Sequence, residues 1–327
     1  MSCTVTQESF DSLALYLTGS NHHLKWGSIF VLPPWLAVWW REFHPRTELY
    51  LSVARQGKEI IGIAPLQIKE KEAGFIGSTD VCDYLDFIVS PGSEAAFFNV
   101  LFDDLGRKGI SCLDLNSLRP DATALTHLGA IAQERGYEVH CREEAVSLEV
   151  DLPVTWEEYL ALLTKKQRHE VRRKMRRLDE ANDVAYRCVS VNEKEVGGYM
   201  NEFLRLFTLG HEVKANFMTV RMKSFFRALA KAMAEIGRLR FGILELNTLP
   251  VAMTMSFEDD GVLYLYNSAY EPKYNSLSVG VLSKVFGIKE SIERGIKRWD
   301  FLRGAEAYKY QLGGREVRLS SCRIVIK

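Results

Sequence analysis

The chain has 327 residues, more than one core of ordinary size holds and about right for two domains. Hydrophobic residues at 47% and charged residues at 26% exclude a disordered chain, and no apolar run reaches the roughly 18–20 residues that a membrane span needs. The net charge of zero hides a split: residues 151–327 hold 30 Lys/Arg against 22 Asp/Glu and the first 150 hold 12 against 20, which assigns any anionic ligand to the second half and disfavours DNA.

The richest apolar run, 29–40, is broken by Pro33 and Pro34, while Trp35, Trp39 and Trp40 fall at the helical spacing of core residues. Strands are expected at 51–54 and 60–64, around the turn Gln56-Gly57-Lys58. An amphipathic stretch with Arg107 and Lys108 in its last turn closes at Gly109, and a buried strand carrying Asp114 follows. Thr155-x-x-Glu158 and Thr164-x-x-Gln167 are capping boxes that start helices. A boundary near residue 150 therefore divides the chain into 1–150 and 151–327. The second part reads as a strand at 184–191, helices at 193–209 and 220–236, and strands at 239–246, 251–257 and 261–268. A helix at 278–294, a strand at 298–302, a short turn near Tyr308 and a strand pair ending at Ile326 complete it.

Gly295-Ile296 with Asp300-Phe301 repeats Gly109-Ile110 with Asp114-Leu115 at an offset of 186 positions, each after a strand pair in the same order. This predicts a duplicated α/β unit: two mixed, mostly antiparallel sheets flanked by helices, unlike the regular alternation of a doubly wound nucleotide fold. The six cysteines are scattered without a Cys-x-x-Cys pair, and no His/Cys/Asp cluster has metal-ligand spacing. No disulfide framework and no metal are expected, and a cytoplasmic location follows from this and from an N-terminus without a signal pattern.

Four stretches carry a family resemblance. They are Leu32-Pro33-Pro34-Trp35 with Trp39-Trp40; Asp83-Tyr84-Leu85-Asp86; the basic helix from Lys165 to Arg177; and Asp300-Phe301-Leu302-Arg303-Gly304 with Glu306, Tyr308 and Lys309. The order of elements resembles the GNAT acyltransferase fold, and two copies of it are similar to the Fem-type peptidyl transferases. The nearest likeness is to the acetyltransferases of the cellulose-biosynthesis CelD/BcsL type. The resemblance spans most of the chain and implies a tandem GNAT-like fold, with a degenerate first domain and an acyltransferase second domain. It implies acyl transfer to an amine or hydroxyl but not which substrate; acyl-CoA (acyl-coenzyme A) as donor, no metal, and a small-molecule, glycolipid or nucleotide-sugar acceptor are expected. A Fem-like use of aminoacyl-tRNA and a non-catalytic role in polysaccharide or lipid assembly are the alternatives, and peripheral membrane contact is compatible with each.

The same resemblance places the donor on the strand with Tyr266 and Ser268, and on Ser276, Leu277, Ser278, Val279 and Gly280 where the next helix begins. There Ser278 can cap, Gly280 permits close backbone approach, and helix N–H groups would meet a pyrophosphate. The family's Gln/Arg-x-x-Gly-x-Gly/Ala loop is absent. Of the catalytic candidates, Lys309 would stabilise an oxyanion or hold an acceptor phosphate, and Tyr308 would protonate the departing thiolate. Arg303 would assist in the cleft or pair with Glu306; His211 or Glu212 would accept a proton from an amine. Asp300 is as readily structural, since Asp114 repeats it. On the basic helix Lys165, Arg168 or His169, Arg172 and Arg176 share one side, eight Lys/Arg in thirteen positions against one Glu, a phosphate-facing surface. Asp83 and Tyr84 are substrate-side candidates from the first domain.

Overall fold

The structure is a computed structural model that describes residues 3–18, 23–181, 183–210 and 217–327. The chain divides into two compact units: Met1–Val146 with Val317–Lys327, and Ser147–Glu316.

In the first unit β1 (Cys3–Gln7), β2 (Glu48–Gln56), β3 (Glu59–Lys69) and β4 (Glu72–Phe75) run antiparallel in that order, with the two-residue β5 (Ile88–Val89) beside β3. A parallel pairing joins β4 to β6 (Cys112–Leu118), and the C-terminal strand Arg315–Val325 lies antiparallel to β6. Pro33 and Pro34 begin the helix Pro33–Phe43 rather than interrupt one, because its first turn needs no N–H donors. That helix buries Trp35 and Trp39. The helix Glu94–Arg107 buries Phe97, Phe98, Leu101, Phe102 and Leu105. Phe97 lies over Gly62, where a Cβ would fall 2.4 Å from its ring. The helix ends at Lys108 and Gly109, whose φ of 74° is the left-handed stop read from the sequence.

The second unit repeats this order. After β7 (Glu138–Asp151), within which the division falls, come β8 (Val184–Ser190), β9 (Leu239–Leu246), β10 (Leu249–Asp259) and β11 (Val262–Tyr270), paired antiparallel 8-9-10-11. The helices Val196–Leu209 and Val220–Glu235 separate β8 from β9, and the helix Val279–Glu293 separates β11 from β12 (Arg298–Arg303). β12 is parallel to β11 and antiparallel to residues 147–151 of β7. Gly295 closes the helix at φ 78°, and Asp300 occupies the strand position of Asp114. Four antiparallel strands, a helix, a parallel strand and an antiparallel sixth strand thus recur, as the repeated Gly and Asp positions predict.

Two findings depart from the sequence reading. The sixth strand of the first unit comes from the C-terminus, so residues 317–327 belong there and not with the second part; pairing over such separations leaves no local signal. Cys141 and Cys322, both in the first unit, are joined in a disulfide across 181 positions, which corrects the expectation from their scattered spacing. Among the described residues no helix is long and apolar enough to cross a membrane, and no group of three His, Cys, Asp or Glu could hold a metal.

Candidate active site

In the second unit β11 and β12 pair only along Val262–Tyr264 and Arg298–Asp300. Both strands are then distorted. Opposite β10 the register of β11 skips Tyr266, a bulge that takes one residue's backbone out of the ladder. Opposite β7 the register of β12 skips Phe301, and Leu302 adopts a left-handed φ of 62°. Buried Asp300 stabilises that turn, its carboxylate accepting from the Leu302 N–H at 2.7 Å. The strands part after Tyr264.

A cavity of ≈310 Å³ opens there. Ser268, Ala269 and Tyr270 line it from β11; Ser278, Gly280 and Lys284 line it where the Val279–Glu293 helix begins; Tyr308 lines it from the short helix Ala307–Gln311; Leu206 and Phe207 supply an apolar wall. Ser278 does not cap by its side chain. It lies at φ 58°, and the N–H groups of Val279 and Gly280 donate to no acceptor among the described residues. Unused donors at a helix N-terminus attract an anion. Gly280 is required by Tyr270, since a Cβ would meet that ring at 2.8 Å. Tyr266 directs its ring elsewhere, onto Phe226 and Phe257 at 5.5 and 5.3 Å, and does not line the cavity. Val279 is fully buried and Leu277 half-buried, and neither side chain lines the cavity.

Burial pushes the Tyr308 phenol above its ordinary value, so near neutral pH it holds a proton and can donate it. The ammonium of Lys284 lies 5.3 Å from the Tyr308 ring centre and donates to the Gly280 carbonyl at 2.7 Å. Lys284 is 5% exposed, and it was missed in the sequence. The signal was there: one lysine amid Val281, Leu282, Val285 and Ile288.

Lys309 is not poised over the cavity. Its ammonium donates to the carbonyls of Leu302, Arg303 and Gly304 at 2.9, 2.8 and 3.1 Å and pairs with Glu306 at 2.9 Å. All its N–H donors are committed, so it clamps the turn that leaves β12. Glu306 faces solvent and pairs with Lys309, and Arg303 is half-buried beside the same turn. His211 and Glu212 lie outside the described residues.

The basic helix, Lys165–Asp179, starts with the capping box read from the sequence. Arg172 pairs at 3.0 Å with Glu157, an acid from outside its own helix. Arg168 and Arg176 have no ion-pair partner among the described residues. Lys165, Arg168, His169 and Arg172 border an open depression of ≈950 Å³.

Asp83 and Tyr84 belong to the first unit. Buried Tyr84 lies beneath the Arg119 guanidinium at 4.9 Å and shares a small pocket with Asp86. Burial pushes the Asp86 carboxyl up to about 6, against N–H donation from Thr123 and Ala124 at 2.6 and 3.0 Å. A raised acid stabilises the folded state fully below about pH 4, and this contribution is lost as pH rises through 6. Asp86→Asn lacks that loss. Its stability relative to the wild type should rise between pH 4 and 7, on the order of 1–3 kcal/mol, in urea unfolding at the two pH values.

The decisive likeness coincides with this site. Residues 165–310 match the acetyltransferase (GNAT) domain family. The match takes in the basic helix, the parted strands and Tyr308. No curated protein matches the chain. Among solved structures, FemX aligns at a TM-score of 0.62 with 10% identity, covering 98% of this chain and 96% of its own. A conserved protein of unknown function from Bacteroides thetaiotaomicron aligns at 0.60 with 13% identity over 99% and 100%. The C-terminal domain of a putative lysylphosphatidylglycerol synthetase from Agrobacterium fabrum aligns at 0.53 with 10% identity over 80% and 80%. At these identities the likeness is one of fold. Residues 165–310 are thus similar to the GNAT acetyltransferase domain, and the chain shares its fold with FemX along nearly its whole length.

Proposed function

We propose that the second unit transfers an acyl group from acyl-CoA to an amine or hydroxyl, with the donor in the gap between β11 and β12. The observation that carries this reading is the parting of the two strands beside a helix N-terminus whose first N–H groups are unused. Those N–H groups suit the donor's pyrophosphate, and a thioester laid along β11 meets backbone donors near the Tyr266 bulge that polarise its carbonyl. The acceptor's nitrogen or oxygen attacks that carbon, the new C–N or C–O bond forms as C–S breaks, and the acceptor's proton leaves to solvent. Tyr308 gives its proton to the departing thiolate and regains one from water. Lys284 holds the first helical turn and the Tyr308 ring in place.

Arg168, Arg172 and Arg176 are assigned to an anionic part of the acceptor, a glycolipid or nucleotide sugar of the kind used in polysaccharide or lipid biosynthesis, as the CelD/BcsL likeness implies. Aminoacyl-tRNA is the second reading, favoured by the fold shared with FemX and by Arg168 and Arg176, which have no ion-pair partner among the described residues. Calorimetric titration with acetyl-CoA and with charged tRNA separates the two. The first reading predicts saturable binding of acetyl-CoA with one site per chain. Binding of charged tRNA alone would replace it by the second, and binding of neither would leave a non-catalytic protein.

A further inference from the structure

We infer that a second cavity, lined by the basic helix and the Val279–Glu293 helix, binds a phosphate-bearing ligand other than the acyl donor. It measures ≈470 Å³ and shares only Val281 with the donor cavity among the described lining residues. Its floor is apolar, formed by Val171, Val285 and Leu312, which are 5%, 0% and 1% exposed. Its rim carries Lys166, Glu170 and Lys174, spaced four apart and so on one face of their helix.

The charges on this rim do not balance. Both oxygens of Glu170 are already taken by Arg173, at 2.7 and 2.8 Å in a bidentate pair. Lys174 is half-buried and has that same carboxylate, 3.5 Å away, as its acidic neighbour. Lys166 has no ion-pair partner among the described residues. Two of the three neutral polar side chains are committed: the Thr164 hydroxyl accepts from the Gln167 N–H, and the Gln167 amide bonds the Thr164 N–H and the Tyr310 carbonyl, which leaves Gln311 at the exposed edge. A sugar or polyol would find few donors or acceptors to use. Two under-used ammonium groups above an apolar floor instead suit a phosphate with a ring or hydrocarbon attached. Only the words "other than the acyl donor" rest on the acyltransferase reading.

Uridine diphosphate and inorganic phosphate serve as probes, titrated at low salt into the full chain, first alone and then with saturating coenzyme A. Wild-type protein should bind uridine diphosphate in both conditions and more tightly than phosphate. Lys166→Met with Lys174→Met should weaken it about tenfold or more, and Glu170→Gln should strengthen it severalfold. Coenzyme A affinity should stay within about twofold in both variants, since neither touches the donor cavity. Three results overturn the inference: no binding of either probe, affinity unmoved by the lysine variants, or displacement of uridine diphosphate by coenzyme A. The last assigns the cavity to the donor. Because the probes are read first without coenzyme A, failure of the donor reading leaves this test intact.

Discussion

Lys309→Met is expected to destabilise the second unit by roughly 3–5 kcal/mol, the largest stability effect of any single change proposed for the site. The ammonium is 2% exposed and satisfies three carbonyls in a row, those of Leu302, Arg303 and Gly304. Met keeps the stem and its packing but leaves these oxygens without their donor, that of Leu302 buried. The Glu306 pair adds little to this sum, because that carboxylate is more than half exposed. Leu302 would then lose the support that keeps it left-handed, and Tyr308 would lose its fixed position. Urea unfolding of the variant, followed by its domain signature or by tryptophan fluorescence at Trp299, measures the effect. A residue that only stabilised charge in a transition state would leave the unfolding midpoint where it was and lower turnover alone.

Tyr308→Phe is expected to lower turnover about 10–10³-fold while the affinity for acetyl-CoA changes less than about twofold. Phe preserves the ring that packs on Phe301 and faces Lys284, so the cavity keeps its shape. What is lost is the proton for the thiolate. The loss should be steepest for donors with a poor leaving group and should shrink as the leaving thiol becomes more acidic. An equal loss for every donor would make the hydroxyl a binding group, and an unchanged rate would remove it from the chemistry.

Much of the fold was legible because helix ends are local chemistry. The glycines at 109 and 295 stop their helices whatever lies beyond, and an aspartate five residues on marks the same strand in each unit. The capping boxes at Thr155 and Thr164 formed as read. Strand exchange was not legible, since the sixth strand of the first unit comes from the far end of the chain and its apolar alternation suits either sheet. The disulfide hid for the same reason, its two cysteines becoming neighbours only across paired strands.

The site was legible in outline and less so in detail. Ser268, Ser278, Gly280 and Tyr308 do meet in one cavity, because they flank a single strand-to-helix turn and the strand next to it. Lys309 was misread because the carbonyls that claim it are set by the left-handed turn at Leu302, a conformation that no residue type at that position announces. Lys284 was passed over because its helix reads as core, and a lone charge in such a face shows its purpose only once Tyr308 is brought beside it.

The central claim is that acyl-CoA lies against β11 and the start of the following helix, and hydrogen exchange with and without acetyl-CoA tests it most directly. Peptides covering 265–270 and 278–284 should exchange more slowly in the presence of the donor, because it covers β11 and because the N–H groups of Val279 and Gly280, which donate to no acceptor among the described residues, gain one. Unchanged exchange in both segments under saturating acetyl-CoA, or protection confined to the first unit, would contradict the account.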